Sequence, residues 1–256
     1  MIPLLALIKP RYHLSFVTVA VGALLFADPV DITVAEKLWW SYISFNVLLY
    51  GGIYTFNDIA DRQEDARHPV KRLRPIPAGR LSVARAAVLA TGFCAAGMLA
   101  AVFWLPVPVL GCYAAFAAVN AAYSCGGRRV FVLDILLNAA PHAVRFLMGA
   151  LLVGRVPPPG HLAAWFCLAA AVACIRRIAE KDGNCELARP VLRRYSRRGL
   201  ALAADGGILV IVTLWTLDAG SSSGFYAIVI PAYVLFVLTA RRLSFAQPGF
   251  ARLWLR

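Results

Sequence analysis

Apolar residues run through this chain in long blocks, and polar residues gather between the blocks instead of alternating with them. The blocks fall at 14–27, 38–56, 83–105, 107–123, 131–153, 161–175, 200–217 and 225–240. Most approach the ~20 residues a helix needs to cross the hydrocarbon core, the first and sixth being short. In lipid every peptide group must find its partner within the protein, and an uninterrupted apolar block does so as a helix. The pattern predicts an all-α polytopic membrane protein with eight or nine transmembrane helices. Its two long charged interruptions, 57–82 and 176–199, come four spans apart. That spacing predicts two four-helix halves around a central cavity, each half giving one loop, within a single transmembrane domain over 1–256. Pro157-Pro158-Pro159-Gly160 and the stretch 218–224 read as connectors on the other side.

Composition agrees: 61% of the 256 residues are hydrophobic, 15% are charged and the mean hydropathy is +0.70, where a soluble domain carries about 25% charge. A net charge of +13 would suit nucleic acid, but its placement excludes that partner. Of the 26 Lys and Arg residues, all but Lys37, Arg145 and Arg155 fall on one side of the eight-span arrangement. This is the positive-inside pattern, and it predicts a bacterial plasma-membrane protein with both termini and both charged loops cytoplasmic. Lys9-Pro10-Arg11 interrupts the first apolar run, so no cleavable signal peptide is expected. The six cysteines show no CxxC spacing and read as small apolar residues.

Chemistry concentrates in the first loop. Asn57, Asp61 and Asp65 are spaced i, i+4, i+8, one face if the helix continues, with Asp58 at the edge of that face. Carboxylates so close need a cation between them, and Mg²⁺ suits because it combines one or two carboxylates with water and substrate phosphates. Asp58, Asp61 and Asp65 are the expected metal ligands. Lys71, Arg72 and Arg74 follow and are suited to hold phosphate oxygens from the other side. Glu64 lies off the face and reads as a solvated partner of an arginine.

The second loop offers Arg176, Arg177, Arg189 and Arg193 as a phosphate clamp with Glu180 orienting one of them. A rival reading pairs Asp182 with Glu186 around a second Mg²⁺; a third makes the loop a surface for anionic lipid. Tyr123 and Ser124, Arg129 with Arg128, and Asp134 form a third cluster, in which Asp134 opens an apolar span where a lone carboxylate is costly. Within that span His142 and Arg145 are three residues apart, and an intramembrane arginine is a functional candidate by default. No nucleophile–base pair, zinc motif or nucleotide loop is evident. A transfer with a diphosphate leaving group requires none of these, since metal and cations stabilise the departing charge.

Asn57-Asp58-x-x-Asp61-x-x-x-Asp65, followed by Arg74-Pro75-Ile76-Pro77-Ala78-Gly79, resembles the first signature of the UbiA superfamily of intramembrane prenyltransferases. With the eight spans and the placement of both loops, the resemblance extends over nearly the whole chain. His68-Pro69-x-Lys71-Arg72-x-Arg74-Pro75-Ile76 and Arg176-Arg177-x-Ala179-Glu180 with Arg189-Pro190-Val191-Leu192-x-x-Tyr195 look closest to its polyprenyl-phosphate phosphoribosyltransferase branch. That resemblance implies Mg²⁺-dependent transfer of 5-phosphoribosyl from phosphoribosyl diphosphate to a polyprenyl phosphate. On this reading Asn57, Arg74, Tyr123, Arg129, Asp134 and the second-loop residues bind substrate, and Lys71 and Arg72 join the aspartates in catalysis. Lys9–His13 and Ala140–Arg145 depart from the branch. The alternative is prenyl transfer from a prenyl diphosphate to an aromatic or other small acceptor. A different class again is a lipid-binding protein that keeps the scaffold.

Overall fold

A peptide group in hydrocarbon has only other peptide groups to bond with, and this chain answers with helices almost throughout. The computed structural model describes residues 10–67, 71–182, 186, 189–217 and 223–246; among these there is no strand. In chain order the α-helices are α1 (Val17–Phe26), α2 (Ile32–Ser41), α3 (Tyr50–Ala60), α4 (Arg62–Arg67), α5 (Val83–Trp104), α6 (Val107–Ser124), α7 (Leu133–Leu152), α8 (Pro159–Asp182), α9 (Arg197–Leu217) and α10 (Ser223–Ala246). Among the described residues α5 to α9 are each long and apolar enough to cross a membrane, and shorter apolar helices cover His13–Phe26 and Gly224–Thr239. The protein is an all-α integral membrane protein.

The chain separates into two compact units, 1–124 with 144–156 and 125–143 with 157–256. The division falls where the two-half reading puts it, except that α7 belongs to the second unit up to Ala143 and to the first from Val144.

In the first unit the span expected at 38–56 is the middle of a longer run. Asp31 starts it as an N-cap, its carboxylate accepting from the Val34 N–H at 3.0 Å. Between α2 and α3 the residues Tyr42–Leu49 form a π-helix. Its wider turns were not predicted, because apolar periodicity over eight residues does not separate π from α. Such stretches are uncommon and cluster at functional sites. Phe45, Leu49 and Tyr50 from this run bury against Tyr113 and Phe116 of α6 to make the core. α5 packs against the π stretch and α3, and ends at Leu105, held extended by Pro106.

Gly22 of α1 and Gly149 of α7 lie backbone to backbone. A Cβ on Gly149 would stand 2.1 Å from the Val19 carbonyl oxygen, and one on Gly22 would stand 2.2 Å from that of Phe146. Helices in lipid associate through such small-residue approaches. Gly149→Ala is therefore expected to cost about 1–3 kcal/mol by overpacking, because a main-chain oxygen cannot swing aside. Gly206→Ala in α9 meets no atom within 4 Å and is the matched control. Melting temperatures in detergent should separate the two; equal values would refute the close approach.

In the second unit α8, α9 and α10 pack together. The Tyr233 hydroxyl donates to the Ala204 carbonyl at 2.5 Å, and the His161 ring lies 4.0 Å from that of Phe225. The sixth span was expected to end at 175, with a charged loop beyond. Instead α8 runs to Asp182, because Ile175, Ile178 and Ala179 keep burying one face. Arg176, Arg177 and Glu180 are thus helical residues.

Candidate functional site

The acidic motif begins as helix and then bends. α3 stops at Ala60, and Asp61 takes φ −88° and ψ −1° before α4 resumes. The N–H of Asp61 still reaches the Asn57 carbonyl at 2.9 Å and that of Asp65 reaches the Asp61 carbonyl at 2.8 Å. The straight face of Asn57, Asp61 and Asp65 is therefore replaced by a bent one. Asp58, expected at the edge, is buried together with Asp65, while Asp61 is half-buried. Arg62 closes the end of α3 by donating to the Ile59 carbonyl at 3.1 Å.

One guanidinium nitrogen organises this end. Arg74 Nη1 donates to Asp58 Oδ1 and to Asp65 Oδ2, each at 2.8 Å. The segment after it explains why Arg74 arrives there. Pro75 to Gly79 fold into a tight turn in which the Ala78 N–H returns to the Arg74 carbonyl at 3.0 Å, and Arg80 and Leu81 both donate to the Pro75 carbonyl. Gly79 sits at φ +70°, a conformation that glycine adopts without steric cost. Ile76 is buried and anchors the turn. At the other end Ser124, the last residue of α6, donates to Asn57 Oδ1 at 2.8 Å. Ser124 was quoted in the sequence beside Tyr123 but carried no role there; its neighbour Tyr123 is half-buried.

The carboxylates of Asp58 and Asp65 are hard oxygen donors that already share one cation, the Arg74 guanidinium. That chemistry fits a hard divalent ion. Among the described residues no three acidic, Cys or His groups converge on one point. A site of this kind would hold an ion that keeps part of its shell for substrate oxygens. Arg72 is exposed. The Lys71 side chain, like His68, Pro69 and Val70, lies outside the described residues.

The second unit carries its own buried ionic network. Arg177 is 0% exposed and donates from Nε to Asp134 Oδ2 at 2.7 Å and from Nη1 to Glu180 Oε2 at 2.9 Å. Asp134, itself 0% exposed, also accepts from the Tyr195 hydroxyl. The same hydroxyl accepts from the Val132 N–H at 2.8 Å. Val132 is the non-glycine residue at positive φ, +67°, strained for a β-branched side chain, and Tyr195 fixes it where α7 starts. Burial, reinforced by the Asp134 carboxylate, pushes the Tyr195 phenol above its ordinary value, so it remains a donor through the neutral range. Sequence reasoning quoted Tyr195 but gave it no role; the 61 residues between it and Asp134 hid the pairing.

Arg176 and Arg189 sit at the edge of this network. Arg176 Nε is 3.4 Å from Glu180 Oε1, and Arg189 lies 3.6 Å from Glu180 and 3.9 Å from Asp134. Arg176 Nε and Arg189 Nη1 are buried without a hydrogen-bond partner, so both retain donor capacity. Arg193 and Arg129 are exposed. Asp182 pairs with Arg197 at 3.1 Å and Glu186 with Lys181 at 2.8 Å, each acid being matched to its own cation. Arg145, in the part of α7 that belongs to the first unit, is buried over the rings of Phe116, Tyr50 and Phe45.

This arrangement of helices is found in solved proteins. A UbiA homolog from Archaeoglobus fulgidus bound to GPP and Mg²⁺ superposes with a TM-score of 0.82 at 16% identity, covering 97% of this chain and 92% of that one. In sequence, the decaprenyl-phosphate phosphoribosyltransferase of Mycolicibacterium smegmatis is 31% identical over 184 residues, 70% of this chain and 55% of that protein. Nodulation protein NoeC of Azorhizobium caulinodans is 28% identical over 185 residues, 70% of this chain and 59% of that protein. The chain thus spans little more than half the length of these curated relatives. Residues 15–252 match the UbiA prenyltransferase family, which takes in the bent acidic motif, its arginine and the buried network alike, and on that match the chain belongs to this family.

Proposed function

We propose that this protein is a Mg²⁺-dependent intramembrane transferase that moves a 5-phosphoribosyl group from phosphoribosyl diphosphate to a polyprenyl phosphate and releases diphosphate. The observation that carries the reading is the pair of buried carboxylates, Asp58 and Asp65, joined through one nitrogen of Arg74. Asp58 and Asp65, with Asp61 beside them, would hold the ion, and when bound it supplies charge neutralisation for the leaving diphosphate. Arg74, released from the carboxylates, is then placed to hold a phosphate oxygen, with Lys71 and Arg72 as further cations. In the reaction the C1–O bond to diphosphate breaks, and a C1–O bond to the lipid phosphate forms. The nucleophile is already an anion, so no general base is required, in keeping with the lack of one in the sequence.

Two features favour ribosyl over prenyl transfer. Asp182 and Glu186, the residues a second acidic site would use, are each neutralised by a neighbouring cation. In the same unit Arg176 and Arg189 keep donors free for a phosphate, which Asn57, Tyr123, Arg129 and Arg193 would supplement at its margins. Arg177, Asp134 and Glu180 act beneath them as positioning residues. The similarity to the Mycolicibacterium phosphoribosyltransferase points the same way. Prenyl transfer to a small acceptor is the second reading, supported by the GPP and Mg²⁺ of the Archaeoglobus neighbour. In either case residues 1–256 work as one domain in the plasma membrane, with the acidic end on the cytoplasmic side.

Thermal shift of the purified protein in detergent tests the choice. Phosphoribosyl diphosphate should raise the melting temperature only with Mg²⁺ present, and EDTA should abolish the rise. Stabilisation by geranyl or longer prenyl diphosphates, with none from phosphoribosyl diphosphate, would overturn the ribosyl reading in favour of prenyl transfer.

A further inference from the structure

Arg145 lies within an apolar helix, 3% exposed, and its printed neighbours are rings. Its guanidinium carbon stands 4.8 Å from the centre of the Phe116 ring, 5.3 Å from Tyr50 and 5.8 Å from Phe45, and its buried Nε has no hydrogen-bond partner. Ring faces attract a cation, but they accept none of its hydrogen bonds and carry no countercharge. A buried charge left at that stage is a net cost to the fold. A second polar group nearby in the chain is equally unspent. Asn46 is 0% exposed, and neither its Oδ1 nor its Nδ2 has a partner. It follows Phe45 directly and precedes Tyr50 by one turn, so two of the three rings beneath the guanidinium flank it in sequence. It also lies in the π-helical stretch, the backbone irregularity of this unit.

We infer that Arg145, bedded on Phe45, Tyr50 and Phe116 and assisted by Asn46, is a binding site within the membrane-spanning part of the first unit for an oxyanion carried on an apolar molecule. The guanidinium supplies the charge and planar donors suited to a phosphate or carboxylate, the carboxamide adds a donor, and the rings take the apolar body. Eight residues of α3 separate Tyr50 from Asp58, about 12 Å along the helix, so this seat is separate from the acidic end. It holds whichever donor the enzyme uses; the proposed reaction bears only on which oxyanion arrives.

The test is equilibrium binding to the full-length protein in detergent, with geranylgeranyl phosphate, benzoate and inorganic phosphate as probes and geranylgeraniol as the neutral control. Wild type should bind at least one of the first two, and the alcohol much more weakly. Arg145→Gln should weaken that binding about tenfold or more, as loss of a charge-assisted bidentate contact does. Arg145→Lys should retain part of it, and Asn46→Ala should weaken it less. Ligand-free Arg145→Gln should melt no lower than wild type, because the charge it removes has no counterion. Mg²⁺-dependent donor binding should be unchanged, which keeps this result apart from the donor question. Benzoate binding that depends on Arg145, with none from the lipid phosphate, keeps the site and assigns it to a carboxylate. Inorganic phosphate binding as well as the lipid probe would remove the apolar body from the proposal and overturn it. So would unchanged affinity in Arg145→Gln, no oxyanion binding to wild type, or an Arg145→Gln protein that melts well below wild type.

Discussion

Asp65→Asn is expected to lower turnover by about 10²–10³-fold, the loss typical of removing one preorganised electrostatic group, in a protein that still folds. Asp65 is 3% exposed and accepts from an Arg74 nitrogen that Asp58 shares. The amide keeps the shape and one acceptor oxygen, and Arg74 keeps Asp58, so little of the local structure is lost. What disappears is one of the two negative charges that would draw a divalent ion between them. The donor that stabilises wild type should therefore lose its Mg²⁺-dependent shift in the variant. Arg62→Gln, which alters an exposed contact with a carbonyl, is the control. Wild-type turnover in Asp65→Asn, with the Mg²⁺ response intact, would remove the acidic pair from the chemistry.

The second large effect belongs to stability. Arg177→Met should destabilise the protein by about 3–5 kcal/mol, the cost of leaving buried charges without their partner, or on the order of 10 °C in melting temperature. Its side chain is 1% exposed, as against 0% for Asp134 and 10% for Glu180, so solvent screens almost none of the loss. Both acids would be left facing Arg189 at 3.6 Å or more. Adding Asp134→Asn to the Met variant removes one of the stranded charges and should recover part of the loss, an interaction the double-mutant cycle reads directly. Arg193→Ala, on an exposed residue of the same loop, should stay within about 0.5 kcal/mol of wild type. A Met variant that melts with wild type would mean that the network contributes nothing to the fold.

Much of this architecture was legible in the chain because hydrophobic runs are a direct record of the solvent they meet. The boundaries of α5 and α6 follow from apolar length and from Pro106. Where the reading failed, the deciding forces were tertiary. Arg176 to Lys181 look like loop because they are charged, yet Ile178 and Ala179 are buried and carry the helix through them. The bend at Asp61 leaves no mark in composition. Four acids at helical spacing identified the site, but which two would be buried depended on Arg74, whose position is set by a turn sixteen residues beyond Asp58. Asp134 and Arg177 could be suspected singly, whereas their pairing spans 43 residues of chain and no local pattern specifies it.

The eight π-helical residues Tyr42–Leu49 have a consequence for how this protein can change over generations. Each wide turn holds a residue more than an α-turn would need, so the stretch acts as a phase shifter between the capped end at Asp31 and the acids beyond Tyr50. Deleting a single residue there would let an ordinary helix form and would rotate Asn57 and Asp58 by about 100° relative to everything upstream. Substitutions leave that phase alone, while a one-residue insertion or deletion resets it. In this part of the chain the number of residues, as much as their identity, decides which way the chemistry points.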